Sequence, residues 1–244
     1  MIERMVDITS RNGVIPSFAA SPDGPGHFPG IVLYMDAPGM REELNNLARR
    51  IAKNGYFVLV PDLYYRLGLL RFDMTRPAEG RMQAIFAAMN SLTNALVVED
   101  TAAFIGWLDA QEKVSPGPLG SIGYCMSGKF VTTVAARYAN RYAASASLYG
   151  VGIVTKEEDS PHKLVPQIKG EIYYGFAEDD PHVAPGTIPT LTDALKTAKT
   201  KHTLEILPGT HHGYQFPERD VYNTDAAESS WAKIFDMWKR NLKS

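Results

Sequence analysis

The sequence predicts an α/β fold, a mostly parallel central sheet with helices on both faces. Two observations point there. Short apolar runs alternate with segments of helical period along the chain, as a sheet needs when each parallel strand is reached by a crossover helix. At one such junction, Ser121-Ile122-Gly123-Tyr124-Cys125-Met126-Ser127-Gly128, the only cysteine in 244 residues stands between glycines where a strand gives way to a helix.

Taken in order, Ile31–Met35 and Tyr56–Val60 read as buried strands, and Met40, Leu44, Leu47 and Ile51 mark one face of the helix between them. Residues 66–95 are longer than a simple connection and mix Arg66, Arg71, Arg76 and Arg81 with Phe72, Met74, Met82, Phe86 and Met89. They read as a partly helical excursion over the strands' carboxyl ends, either lining a pocket or only elaborating the surface. Leu119 to Gly123 follows the breakers Pro116, Gly117 and Pro118 and reads as a strand. Phe130, Val131, Val134, Ala135 and Tyr138 then recur at helical spacing, so a helix begins at or just after Cys125. Ala144–Tyr149 is a further strand, and Trp231, Ile234, Phe235 and Trp238 form the core face of a last helix. One domain over residues 1–244 is expected.

The glycine-flanked cysteine has a chemical reading. A nucleophile elbow holds the reactive residue at the apex of a strained strand-to-helix turn, where crowding demands small neighbours. A helix N-terminus favours a thiolate, the reactive form of cysteine. Such a group needs a base, and the base needs an orienting acid. Downstream, Glu171-Ile172-Tyr173-Tyr174-Gly175-Phe176 runs into the acidic loop Glu178-Asp179-Asp180, where three carboxylates compete for the acid's role. Leu204-Glu205-Ile206-Leu207 then runs into Pro208-Gly209-Thr210-His211-His212-Gly213-Tyr214, read as a strand followed by a turn. His212 is preferred over His211 because it directly precedes Gly213-Tyr214, while His182 falls in the acid loop and His27, His162 and His202 have no such context. A metal pair at His211 and His212 is disfavoured, since adjacent side chains point apart and no carboxylate or cysteine cluster joins them.

With these segments in hand, the chain resembles the dienelactone hydrolase (carboxymethylenebutenolidase) family of the α/β-hydrolases from about residue 10 to its end. The motifs that carry the likeness are Gly123-Tyr124-Cys125, the Asp180 to Val183 loop, Gly209 with His212, and Pro61-Asp62-Leu63-Tyr64 followed by Arg66. The resemblance implies an α/β-hydrolase fold with Cys125 as nucleophile, His212 as base and Asp180, rather than Asp179, as orienter. It implies oxyanion donors at the backbone N–H groups of Ala37 and Met126. It places Asp36 where the family has a thiol-contacting glutamate, Tyr124 beside the nucleophile, and Arg66 on a substrate carboxylate, for which a planar guanidinium is suited. Two departures bear on the substrate. Ser127 stands where many members have glycine, and the founding lactonases' second arginine, just after the histidine, is missing: Gly213, Tyr214, Gln215, Phe216 and Pro217 follow His212, and Arg219 does not match.

A net charge of −2 with interspersed signs gives no footprint for nucleic acid. The N-terminal residues lack a signal-peptide core, and no apolar run of about 18 residues is present for a membrane span. A single cysteine rules out an internal disulfide framework. The expectation is a cytoplasmic, cofactor-free cysteine hydrolase of small esters or lactones, monomeric or homodimeric, with no metal and no partner but its substrate. Tyr34, Tyr64, Tyr65, Tyr124, Tyr149 and Tyr214 are candidate pocket walls. A weakly catalytic binding protein on the same fold, or acyl transfer to an acceptor other than water, are the alternatives.

Overall fold

The computed structural model describes residues 1–243 apart from 75 and 77, so those two positions of the 66–95 segment lie outside the described residues. The chain divides into two compact units, Met1–Pro116 and Gly117–Ser244. Strand order is β1-β2-β4-β3 in the first and β5-β6-β7-β8 in the second.

In the first unit, β1 (Ile2–Ser10) and β2 (Gly13–Ser21) make an antiparallel hairpin, and β2 also pairs antiparallel with β4 (Phe57–Pro61). β3 (Gly30–Tyr34) pairs parallel with β4, and every residue of both is buried. Fully buried strands are continuous apolar runs, which is why these two are legible in sequence. Between them α1 (Glu42–Lys53) buries Leu44, Leu47, Ala48 and Ile51, with Glu42 and Glu43 in its first turn and Arg50 and Lys53 in its last, matching the helix dipole at both ends. The hairpin has no such signal. β1 is mostly exposed, so its residues need not alternate, and pairing rather than burial holds it.

The 66–95 segment begins with a short 3₁₀ turn at Tyr65–Leu67 and ends in α2 (Arg81–Asn90). α2 buries Ile85 and Ala88 and leaves Met82 and Phe86 exposed. The arginines of the segment stay close to home. Arg66 pairs with Asp100, Arg71 with Asp62 and Arg76 with Asp73, while Arg81 donates to the Asp73 and Arg76 carbonyls. α3 (Asn94–Asp109) follows, its N-terminus capped by Thr93, whose Oγ1 accepts from the Leu96 N–H at 3.2 Å.

In the second unit, β5 (Leu119–Tyr124), β6 (Tyr142–Leu148), β7 (Glu171–Asp179) and β8 (His202–His211) run parallel. α4 (Ser127–Arg137) links the first two and α5 (Thr187–Ala198) the last two, and α6 (Thr224–Leu242) closes the chain. Asn223 caps α6, whose Trp231, Ile234 and Trp238 are buried while Phe235 stacks on Trp231 at 5.2 Å. Pro208-Gly209, read from sequence as a turn, is instead an irregularity inside β8, where the pairing with β7 shifts between Ala177/Leu207 and Asp179/His211. An edge strand tolerates proline's missing donor. Gly209 has φ 65°, its N–H donates to Glu178 Oε2 at 2.7 Å, and the Thr210 hydroxyl accepts from the Glu178 N–H.

Glycines allow the closest packing at the head of α4. A Cβ at Gly128 would lie 2.3 Å from the Gly150 Cα and 2.6 Å from the Ser147 Oγ, and one at Gly123 would lie 2.7 Å from a Val131 methyl. Gly106, on the exposed side of α3, has nothing within 4 Å of the corresponding point. Gly128→Ala is therefore expected to destabilise the protein by about 3 kcal/mol or more, through overpacking against backbone. Gly106→Ala is expected to stabilise it by about 1 kcal/mol through helix propensity. Urea unfolding of the two variants beside wild type checks both signs.

Candidate active site

The residues singled out from sequence in the second unit lie just past the carboxyl ends of its strands. Cys125 follows β5, Asp180 follows β7 and His212 follows β8. Register brings the last two together. Asp179 is paired with His211 at the ends of β7 and β8, so the residues that follow them, Asp180 and His212, emerge side by side.

Cys125 sits at a strained apex. Its φ is 54°, left-handed for a residue with a Cβ, which costs about 1–3 kcal/mol. The turn is fixed by backbone bonds: the Cys125 N–H donates to the Leu148 carbonyl at 3.1 Å, and its own carbonyl accepts from the N–H groups of Gly128 and Val151, each at 3.0 Å. The thiol is half-buried and in no disulfide. Met126 is the N-cap residue of α4 and is fully buried, as is Tyr124.

Asp180 and His212 form a buried pair. His212 Nδ1 lies 2.9 and 2.8 Å from the two carboxylate oxygens, and the side chains are 3% and 14% exposed respectively. The neighbouring pair, His211 and Asp179, is 3.2 Å apart and open to water. Each histidine thus takes a different aspartate, and among the described residues no group of His, Cys, Asp and Glu is arranged to hold a metal ion. Burial opposes charge on His212, but hydrogen bonds to Asp180 and to Cys125, with the charges of both, outweigh it and push the imidazole up from 6.5 to about 9. That link also brings Cys125 to His212. The protonated pair contributes stability fully below pH 6.5, and the contribution is lost as pH rises through about 9.

Aromatic rings surround the imidazole. Tyr149, itself at φ 38° and fully buried, stands edge-on to His212 with centroids 4.9 Å apart, and touches Tyr124 and Tyr214 at 5.9 and 5.4 Å. Phe216, at a position following His212 where no arginine is found, packs on Tyr124 at 5.2 Å. The ring of His182 stands 4.6 Å from that of His212.

The first-unit candidates have partners of their own. Asp36 is 1% exposed and bound by both terminal nitrogens of Arg41, at 2.5 and 3.1 Å. The Ala37 carbonyl accepts from the Tyr64 hydroxyl at 2.7 Å. Arg66 donates through both terminal nitrogens to Asp100, each at 2.8 Å, and Asp100 also accepts from the Tyr65 hydroxyl. Tyr34 bonds Thr101 within the same unit. Asp100 was detectable in sequence: it lies among Val97, Thr101, Phe104 and Leu108 on the buried face of α3, and an acid on such a face requires a cation. Arg41 had no comparable signal, and Tyr149, a candidate pocket wall in sequence, is instead a fully buried ring against His212.

The sequence profile of the "Dienelactone hydrolase family" matches residues 15–242. A Synechocystis protein whose name assigns it provisionally to the carboxymethylenebutenolidases is 26% identical over 242 residues, which cover 98% of this chain and 97% of that one. Among solved structures, a Klebsiella pneumoniae protein provisionally titled a dienelactone hydrolase superposes with a TM-score of 0.86 at 20% identity, covering 98% of each chain. The dienelactone hydrolase-like promiscuous phosphotriesterase P91, from metagenomic libraries, superposes at 0.80, also at 20% identity, covering 99% of this chain and 98% of its own. The fold is that of the α/β-hydrolases, with a mixed, mostly parallel set of eight strands. Among the described residues no helix is long and apolar enough to cross a membrane.

The two histidine–aspartate pairs make separable predictions. By NMR titration, His212 is expected to change charge near pH 9 in wild type and in Asp179→Asn, and to fall toward 6.5 in Asp180→Asn. A wild-type midpoint near 6.5 would contradict the pairing.

Proposed function

Because the chain belongs to the dienelactone hydrolase family, we propose that it is a cysteine hydrolase of small esters or lactones, working through a thioester with Cys125, His212 and Asp180. The observation that carries this reading is the buried His212–Asp180 pair joined to a cysteine held in left-handed backbone. With Nδ1 engaged by Asp180, Nε2 is the nitrogen left for Cys125 and for the reacting groups.

At neutral pH His212 carries a proton. Cys125 Sγ attacks the substrate carbonyl carbon as a thiolate, and the carbonyl oxygen takes the negative charge. The backbone N–H of Met126, at the head of α4, is a donor for that oxyanion, and one such donor is typically worth about 3 kcal/mol. Collapse of the tetrahedral intermediate breaks the C–O bond, and the alkoxide takes the proton from His212 Nε2. Neutral His212 then removes a proton from water, the hydroxide oxygen adds to the thioester carbon, and the C–S bond breaks. The acid product leaves and the thiolate–imidazolium pair is restored. Asp180 keeps the imidazole in the required tautomer and offsets its charge.

The rings of Tyr124, Tyr149 and Phe216 are fully buried, so they brace the site from behind and say nothing of the acyl group. Arg66 enters as a proposed carboxylate contact from the resemblance, with both terminal nitrogens already committed to buried Asp100. A substrate carboxylate has to compete for that fork. The expectation is little preference for a carboxylated lactone over its neutral analogue, and an Arg66→Ala variant that loses both alike. A selective loss of the carboxylated substrate would restore the anion-anchor role.

A panel of aryl esters and small lactones tests the reaction itself. Wild type is expected to turn over at least one member, Cys125→Ala none, and Cys125→Ser far more slowly. Asp180→Asn is expected to lose about 10²–10⁴-fold in kcat, and Asp179→Asn little. Turnover by wild type no greater than by Cys125→Ala would leave a small-molecule binder on the same fold as the better reading.

A further inference from the structure

The imidazole of His212 is 14% exposed, yet its neighbour His211, the last residue of β8, is 59% exposed. Two rings stand against His212. Tyr149 is fully buried and cannot be what separates the imidazole from solvent. His182 is itself exposed and stands edge-on to His212, with centroids 4.6 Å apart and planes at 68°. Of the two rings it is the one that faces solvent.

The turn that carries His182 is built to hold it there. Proline fixes the backbone at position 181, the Val183 N–H donates to the Asp180 carbonyl at 3.2 Å, and the His182 N–H donates to Asp180 Oδ1 at 3.0 Å. The oxygen that receives the His182 N–H is also one that contacts His212 Nδ1. One short turn therefore supplies the carboxylate, preorganises it and places a ring over the base. Exclusion of water strengthens a charged hydrogen bond and limits proton leakage.

We infer that His182 is a positioning residue for the triad: its ring covers the His212 imidazole, keeping water from the bond to Asp180 and holding the ring plane toward Cys125. This rests on the proposed hydrolase reading for its catalytic consequence, but the cover itself does not. The titratable groups set against His212 are Asp180, Cys125, Tyr149 and His182.

The test uses His182→Ala and His182→Phe in the full chain, the second keeping a ring without a titratable nitrogen. The first readout is exchange with water of the His212 Nδ1 proton, followed by NMR, which needs no substrate. Exchange is expected to quicken at least about ten-fold in His182→Ala and to stay near the wild-type rate in His182→Phe. The second is the pH profile of Cys125 alkylation by iodoacetamide, expected to shift in the alanine variant and to be restored by phenylalanine. On any ester the wild type cleaves, His182→Ala is expected to lose about ten-fold in kcat with KM little changed. Unchanged proton exchange in His182→Ala, or a phenylalanine variant as fast in exchange as the alanine one, overturns the inference. A wild type that cleaves nothing while the exchange result holds overturns the hydrolase reading and leaves the cover standing.

Discussion

The approach of Gly128 to Gly150 sets the geometry of the second unit. Side chains at either position would drive α4 away from the end of β6, because the space is already filled by the opposing backbone and by Ser147 Oγ. With the helix seated that close, the chain leaving β5 must reverse within one residue, and Cys125 takes the left-handed conformation that the reversal requires. The bonds that hold it there run to Leu148 and Val151, on either side of Gly150. The strain of the cysteine, the seat of the helix and the position of Tyr149 are thus one packing solution. Adding one β-carbon at this point moves all three.

Buried aspartates recur through the chain, each matched to a cation. Asp36 has Arg41, Asp62 has Arg71, Asp100 has Arg66 and Asp180 has His212. Such pairs add little net stability against an apolar replacement, but losing one partner strands the other charge at a cost of about 3–5 kcal/mol. In three of them the cation is a guanidinium, which keeps its proton and cannot act in proton transfer. In the fourth it is an imidazole, whose proton can leave. The same device has a fixed charge with arginine and a titratable one with histidine, and the difference lies in one side chain.

Much of the fold was legible in the sequence because its central strands are buried on both faces. β3 and β4 announce themselves as apolar runs, β5 by the breakers before it, and α1 and α6 by their spacing. The β1–β2 hairpin was not: exposed β1 is held by pairing partners that local pattern does not encode, and the buried half of β2, Ser17 to Ser21, is mostly small and partly polar. Pro208-Gly209 misled for a related reason: a breaker pair ends a central strand but is absorbed as an irregularity at an edge, where the Glu178 side chain takes the displaced Gly209 N–H. At the site, local sequence narrowed the candidates to Cys125, three adjacent carboxylates and two adjacent histidines. Which aspartate meets which histidine is a matter of register between β7 and β8, and register is a tertiary property. The ring of His182 over His212 and the fork of Arg66 on Asp100 likewise join residues 30 and 34 positions apart, beyond the reach of any short pattern.

β1 ends the strand order on one side, and an outermost strand carries a row of backbone donors and acceptors available to any other chain. The exposed Ile2 and Met5 would favour such an encounter. Glu3, Arg4 and Asp7 are interleaved with them, and two of these charges are tied back to the body of the unit: Glu3 accepts from Arg49 of α1, and Arg4 lies over Trp107 and donates to Gln111 at the end of α3. A foreign strand docking here must strip water from one charge and break the tethers of two others. The margin of the molecule is thereby defended against amyloid-like growth by the same side chains that fasten the hairpin to its helices.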